Sequence, residues 1–189
     1  MKLDTTRLKR NKAVTVSLLA VLTAIPTALG YVLGPMTHFV NLSFKLIGIP
    51  SSLRFGFTSI VLVTILARAY LGRGAAIVEG LLLGITAIFF HTSEPPTIRV
   101  PKDTLLGIGV DVALLKSEDI GLKSAIVASF LGGILSYIPY LLFDPSALLF
   151  FTLLLVATSG YLISCAIGGF LASLILKFLP PKYMQKSSS

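Results

Sequence analysis

The sequence predicts an all-α membrane protein, with six transmembrane helices in one bundle and both termini cytoplasmic. Three observations lead there. Charged residues make up 13% of the 189 residues and hydrophobic ones 54%, whereas soluble domains carry roughly 25% charged residues. The apolar residues gather in runs near the ~20 residues that span a bilayer. Lysines and arginines collect between those runs, in segments that alternate crossings bring to one side.

The first predicted span runs from Ala13 to Leu33, preceded by the basic segment Lys2 to Lys12 and ended by Gly34-Pro35. Pro26 inside it removes a backbone donor and predicts a kink. Residues 34–54 mix apolar and polar residues with two prolines, and read as a structured loop or partly inserted turn. The second span covers Phe55 to Leu71 and the third Gly74 to Phe90, joined by a hairpin at Gly72-Arg73. His91 to Lys102 holds three prolines and reads as loop. A short fourth helix is expected over Asp103 to Leu115, followed by the polar linker Lys116 to Lys123. The fifth runs from Ser124 to Phe143, closed by Asp144-Pro145. The last apolar run, Ala147 to Leu179, is long enough to span with tilt. Residues 1–180 form one domain in this reading, and 181–189 a disordered basic tail.

With the N-terminus inside, twelve of the sixteen lysines and arginines fall on the inner side. The four outside are Lys45, Arg54, Arg99 and Lys102. Six crossings return the C-terminus to the cytoplasm, and a seventh within 34–54 would break the agreement. A net charge of +8 invites a nucleic-acid reading, but the charges form short clusters between apolar runs rather than one basic face. The single cysteine, Cys165, excludes a disulfide within the chain. The first apolar run is too long for a secretory signal and no small-residue cleavage pattern follows it. The two histidines and one cysteine are widely separated and offer no metal cluster. No catalytic or phosphate-binding motif is present, so any uphill transport must draw on a partner or an ion gradient.

Two acidic residues fall within apolar segments, where an ionisable group is functional by default. Glu79 lies about 7–8 Å into the third helix at 1.5 Å per residue, which suits a structural or coupling role. Asp111 lies about 12 Å into the fourth helix if that helix starts at Asp103. It shares a face with Thr104 and with Gly107, which would open space beside it. Asp111 either touches a ligand or anchors a neighbouring helix. Ser129, Gly133, Ser136, Tyr137 and Tyr140 form an inward-pointing polar stripe on the fifth helix, although a tyrosine near a helix end also serves as an interfacial anchor. The outer segments collect His38, Phe39, Asn41, Phe44, Lys45, Arg54, Phe90, His91, Glu94 and Arg99. Such aromatic and polar groups can close over a small molecule or be ordinary loop residues. The candidate ligand contacts are therefore Asn41, Lys45, Arg54, Phe90, His91, Asp111, Tyr137 and Tyr140.

Small residues recur every four positions: Ala20, Ala24 and Ala28; Gly80 and Gly84; and Gly160, Ser164, Gly168 and Ala172. Such stripes permit close helix approach in lipid. For the third and sixth helices they predict internal packing. The alanine stripe could equally face another protein.

The layout resembles the S components of energy-coupling factor transporters, the capture subunits of prokaryotic vitamin importers. Three segments carry the resemblance. In VSLLAVLTAIPTALG, Ala20, Ala24 and Ala28 resemble the element that docks on the family's membrane-embedded T component. Arg54 to Ile85 is similar to its second helix, glycine hairpin and small-residue-rich third helix. GIGVDVAL looks like the thiamine-precursor branch, which usually carries a bulkier acidic residue near the place of Asp111. The resemblance implies a six-helix bundle that holds its ligand near the outer surface, in complex with a T component and two cytoplasmic ATPases. The cobalt-binding members carry a histidine near the N-terminus that this chain lacks, so cobalt is not expected.

The expected function is thus capture of a vitamin-like nutrient at the outer face of a prokaryotic cell membrane, without catalysis or cofactor. The ligand expected from the outer residues is a heteroaromatic ring bearing a charged or hydroxyl group, thiamine-like or pyrimidine. Two alternatives stand beside it. One is a membrane-embedded enzyme using Asp111, Glu79 and His91 as acid and base; the other is a ligand-free scaffold subunit. An independent secondary transporter would call for inverted repeats and broken helices, and the sequence has neither.

Overall fold

The computed structural model describes residues 5–46, 55–89, 95–117, 120–143 and 151–180. These form six helices, with no strand among the described residues: α1 (Thr5–Leu46), α2 (Phe55–Leu71), α3 (Ala75–Phe89), α4 (Pro96–Ala113), α5 (Leu122–Phe143) and α6 (Phe151–Phe178). Stretches of α1, α5 and α6 are long and apolar enough to cross a membrane, over Lys12–Gly30, Leu122–Phe143 and Ser159–Phe178. Shorter apolar stretches occupy Phe57–Leu71 and Ala75–Phe89. The described residues are thus all-helical, with three helices long and apolar enough for a membrane protein. The expected tail, residues 181–189, lies outside the described residues.

The two largest departures from the expected element boundaries are both at prolines. The first helix does not end at Gly34-Pro35. α1 continues for 42 residues, with Pro26 and Pro35 inside it, so residues 34–46 are helix and not loop. Its length is about 63 Å at 1.5 Å per residue, twice the ~30 Å hydrocarbon core. Proline removes one backbone hydrogen bond, but helices in lipid tolerate it where neighbouring groups compensate. Apolar residues persist beyond Pro35, and Met36, Phe39, Leu42 and Leu46 are all exposed.

α4 starts at Pro96, seven residues before the expected Asp103. Pro95 is extended (φ −64°, ψ 147°) and Pro96 opens the helix. Proline is favoured at the first helical position because its missing N–H has no partner there in any case. The Ile98 and Arg99 amides both donate to the Pro95 carbonyl, at 3.0 and 2.9 Å. The proline pair thus starts a helix rather than breaking one, and Pro101 is carried inside it.

The hairpin between α2 and α3 is turned by Gly72 (φ +93°) and Gly74 (φ +83°), a left-handed backbone that glycine adopts without steric cost. α3 and α4 then run antiparallel in close contact. Gly80 lies against the Asp103 carbonyl, Gly84 against Val100 Cα, and Gly107 against the Ala76 carbonyl. Gly109 meets Gly132 of α5, Gly133 meets Cys165 of α6, and Gly168 meets Thr58 and Val61 of α2. Lipid supplies no hydrophobic drive between helices, so close backbone packing takes its place. The stripe Gly160, Ser164, Gly168 and Ala172 is buried throughout, as is the Gly80–Gly84 pair.

α1 behaves differently. It packs its Leu22, Thr23 and Pro26 face inward and leaves Ala20, Ala24 and Ala28 exposed on the other side.

Candidate functional site

Three polar constellations lie inside this apolar bundle. The first locks the hairpin. Asp111 is buried fifteen residues into α4, about 22 Å from its start, and so sits at the hairpin end. Its Oδ1 lies 2.9 Å from Arg68 Nε. The Gly74 amide donates to Oδ1 and the Ile77 amide to Oδ2, each at 3.2 Å. A carboxylate accepting from the first amides of a helix satisfies donors that have no partner within it. Arg68 also donates to the Leu114 carbonyl at 3.0 Å, and Arg73 to the Leu115 carbonyl at 3.3 Å. Of the two roles open for Asp111, these contacts are those of an anchor. The space expected beside it at Gly107 is filled by the backbone of Ala76 and Ile77. The expected depth differs because α4 begins earlier than Asp103.

The second constellation is Glu79, on α3 facing α1, with no exposed surface. Thr23 donates its hydroxyl to Oε1 at 3.2 Å. Oε2 has no hydrogen-bond partner among the described residues. The Thr23 hydroxyl also lies 2.8 Å from the Leu19 carbonyl, so this polar contact ties the inward face of α1 to the bundle.

The third is the candidate ligand site, where α2, α4, α5 and α6 meet. The start of α4 at Pro96 places Lys102 and Asp103 each about one helical turn beyond Arg99. Lys102 is 1% exposed and Asp103 fully buried. Arg99 Nε donates to Asp103 Oδ2 at 2.8 Å. Lys102 Nζ lies 3.4 Å from the Tyr140 hydroxyl and 5.7 Å from the centre of its ring, within reach of a cation–π contact. From Tyr140 the rings continue inward. Tyr137 lies 5.6 Å from Tyr140 and 5.9 Å from Tyr161, and Tyr161 stacks on Phe57 at 4.1 Å. The Ser136 and Tyr161 hydroxyls are 2.5 Å apart.

The α5 stripe expected to point inward does so. Ser129 and Ser136 are buried, and Tyr137 and Tyr140 half-buried. The structure therefore brings Tyr137 and Tyr140 together and keeps Asp111 apart, since Lys102 lies nine residues nearer the start of α4, about 13 Å along its axis. Asn41 is half-buried on α1. The side chain of Lys45, and residues Arg54, Phe90 and His91, lie outside the described residues. His38 and Phe39 are exposed on α1.

Four members of the cluster, Phe57, Lys102, Asp103 and Tyr161, are absent from the sequence-based candidates. The missing signal is in TIRVPKD. Once Pro95-Pro96 is read as a helix start, Arg99, Lys102 and Asp103 fall at i, i+3 and i+4. Tyr161 stands beside Gly160, whose small-residue spacing points to packing and conceals the neighbouring ring.

Compared with models of protein families, with curated proteins and with solved structures, the chain matches none of them.

Proposed function

We propose that this protein captures a small vitamin-like nutrient at the outer face of a prokaryotic cell membrane and delivers it to an ATP-driven importer, as an S component does. The observation that carries the reading is the cluster of Lys102, Tyr140, Tyr137 and Tyr161. Ionisable groups deep in a membrane bundle are costly and gather where a pathway or ligand makes use of them, and aromatic walls with a few placed polar groups are how small-molecule sites are built. The cluster lies away from the basic hairpin end carrying Arg68 and Arg73. In the positive-inside orientation that hairpin is cytoplasmic, which directs the cluster outward, with six crossings and both termini inside. The exposed stripe Ala20, Ala24 and Ala28 offers the close-approach surface that a membrane-embedded T component, backed by two cytoplasmic ATPases, would need.

The test separates capture from delivery. The full chain, purified in mild detergent, is expected to retain one small molecule identifiable by mass spectrometry. Leucine at both Ala20 and Ala24 should abolish uptake in cells while leaving that molecule bound. A protein that retains nothing and ignores a panel of vitamins sinks the proposal. Equal loss of retention and uptake would mean that the stripe serves folding and not docking.

A further inference from the structure

Among the described residues, three acids are buried: Glu79, Asp103 and Asp111. Asp111 meets Arg68 at 2.9 Å and Asp103 meets Arg99 at 2.8 Å. Glu79 has no cation beside it. Its Oε1 lies 3.2 Å from the Thr23 hydroxyl, and its Oε2 has no hydrogen-bond partner among the described residues. Ala76 and Leu83, a turn to either side on the same face of α3, are buried, as is Leu22 beside Thr23. α1, α2 and α4 pack against α3. On α1, Lys12 and His38 stand eleven and fifteen residues from Thr23, about 16 and 22 Å along the axis. On α2, Arg68 is held by Asp111 and Tyr70 by the Leu179 carbonyl. On α4, Arg99 pairs with Asp103, Lys102 lies beside Tyr140 and Asp111 caps the hairpin. None of these groups bonds Glu79, and α3 carries no other charged residue.

An ionised Glu79 would be a bare charge in an apolar interface, with one oxygen undonated, which is far costlier than a neutral acid with one acceptor unfilled. The hydrogens point the same way. The Thr23 hydroxyl has one proton for two acceptors, Oε1 at 3.2 Å and the Leu19 carbonyl at 2.8 Å. A neutral Glu79 ends that competition, because Oε1–H donates to Thr23 while Thr23 donates to Leu19. α1 is also thinly held: 17% of Lys12–Gly30 is buried, against 33% and 39% of the long apolar stretches of α5 and α6.

We propose that Glu79 is a proton-binding site: the packed bundle holds it as the neutral acid, and loss of that proton releases α1 from α3. A charge formed there has no partner in place, and water reaches it most cheaply where α1 parts from the bundle. Attachment of α1 is therefore strongest at low pH and is lost as pH rises. The released helix is the one whose opposite side carries Ala20, Ala24 and Ala28. The inference does not depend on the capture reading.

Infrared difference spectra of the purified full chain against Glu79→Gln read the carboxyl directly. At neutral pH the unaltered protein is expected to show the carbonyl stretch of one protonated carboxyl, absent from the variant and fading as pH rises. Spin labels at the exposed Val21 of α1 and Val127 of α5, on a Cys165→Ser background, follow the helix. Their distance distribution should be narrow at neutral pH and broaden over the interval in which the band fades. In Glu79→Gln it should stay narrow throughout. Should Glu79→Gln fail to fold, Glu79→Asp takes its place and must displace the band. Carboxylate bands at neutral pH in place of that stretch overturn the proposal, whether a bound cation or water meets the charge. So does a distance that ignores the loss of the band.

Discussion

Asp111 and Lys102 stand on one helix and do different work. Asp111 receives two backbone amides and one guanidinium at the hairpin, so its loss strands a buried Arg68 and two helix-end donors. Removing one partner of a buried ion pair costs about 3–5 kcal/mol. Asp111→Ala is therefore expected to lower the unfolding temperature in detergent sharply, by a free-energy loss of about 3 kcal/mol. Combined with Arg68→Gln it should cost less than the two single losses added together. Ligand retention below that temperature should be unchanged. If Asp111→Ala unfolds normally but releases the retained molecule, the carboxylate belongs to the ligand after all. The chemistry of Asp111 was legible in the sequence as an intramembrane charge, but its place was not. Depth was counted from Asp103, and a helix start seven residues earlier moves a side chain by about 10 Å. Lys102 was hidden by the same boundary, since a lysine read as the end of a loop needs no explanation while one inside a bundle does.

At the scale of elements, α2 and α3 were readable almost to the residue because an apolar run bounded by a glycine hairpin has one simple interpretation. α1 and α4 were not, because proline carries two meanings. It breaks a helix from within and favours its first turn, and only the packing around it chooses. The glycine contacts make a sharper claim about the α3–α4 pair. A methyl group on Gly80 would run into the Asp103 carbonyl, whereas one on Gly30 meets nothing within 4 Å. Gly80→Ala should force the two helices apart and lower stability by about 1–3 kcal/mol, the usual cost of overpacking. Gly30→Ala should leave stability unchanged or raise it, by up to about 1 kcal/mol from helix propensity. Paired thermal-denaturation curves check this, and equal tolerance at both positions would mean that α3 and α4 are not in backbone contact.

The whole molecule turns on which end faces the cytoplasm. The positive-inside distribution puts Lys12, Arg73 and Lys116 on the inner side and Thr97 on the outer. Single cysteines at these positions, on a Cys165→Ser background, should divide cleanly under a membrane-impermeant maleimide. Thr97→Cys is expected to react in intact cells, and the other three only after permeabilisation. The reverse pattern would turn the Lys102 cluster toward the cytoplasm and remove capture from outside.

Composition and the spacing of charges were enough to establish the solvent and the element type, since an apolar run in lipid must bond its own backbone and so becomes helix. They also placed the α5 stripe inward, because hydroxyls facing acyl chains would lack partners. What only the tertiary structure decided is which polar groups meet. Lys102 reaches Tyr140 from 38 residues away, and Tyr161 reaches Ser136 from 25. Such meetings depend on the register of one helix against the next. That register comes from where glycine lets two backbones touch, a property of the pair that neither segment carries alone.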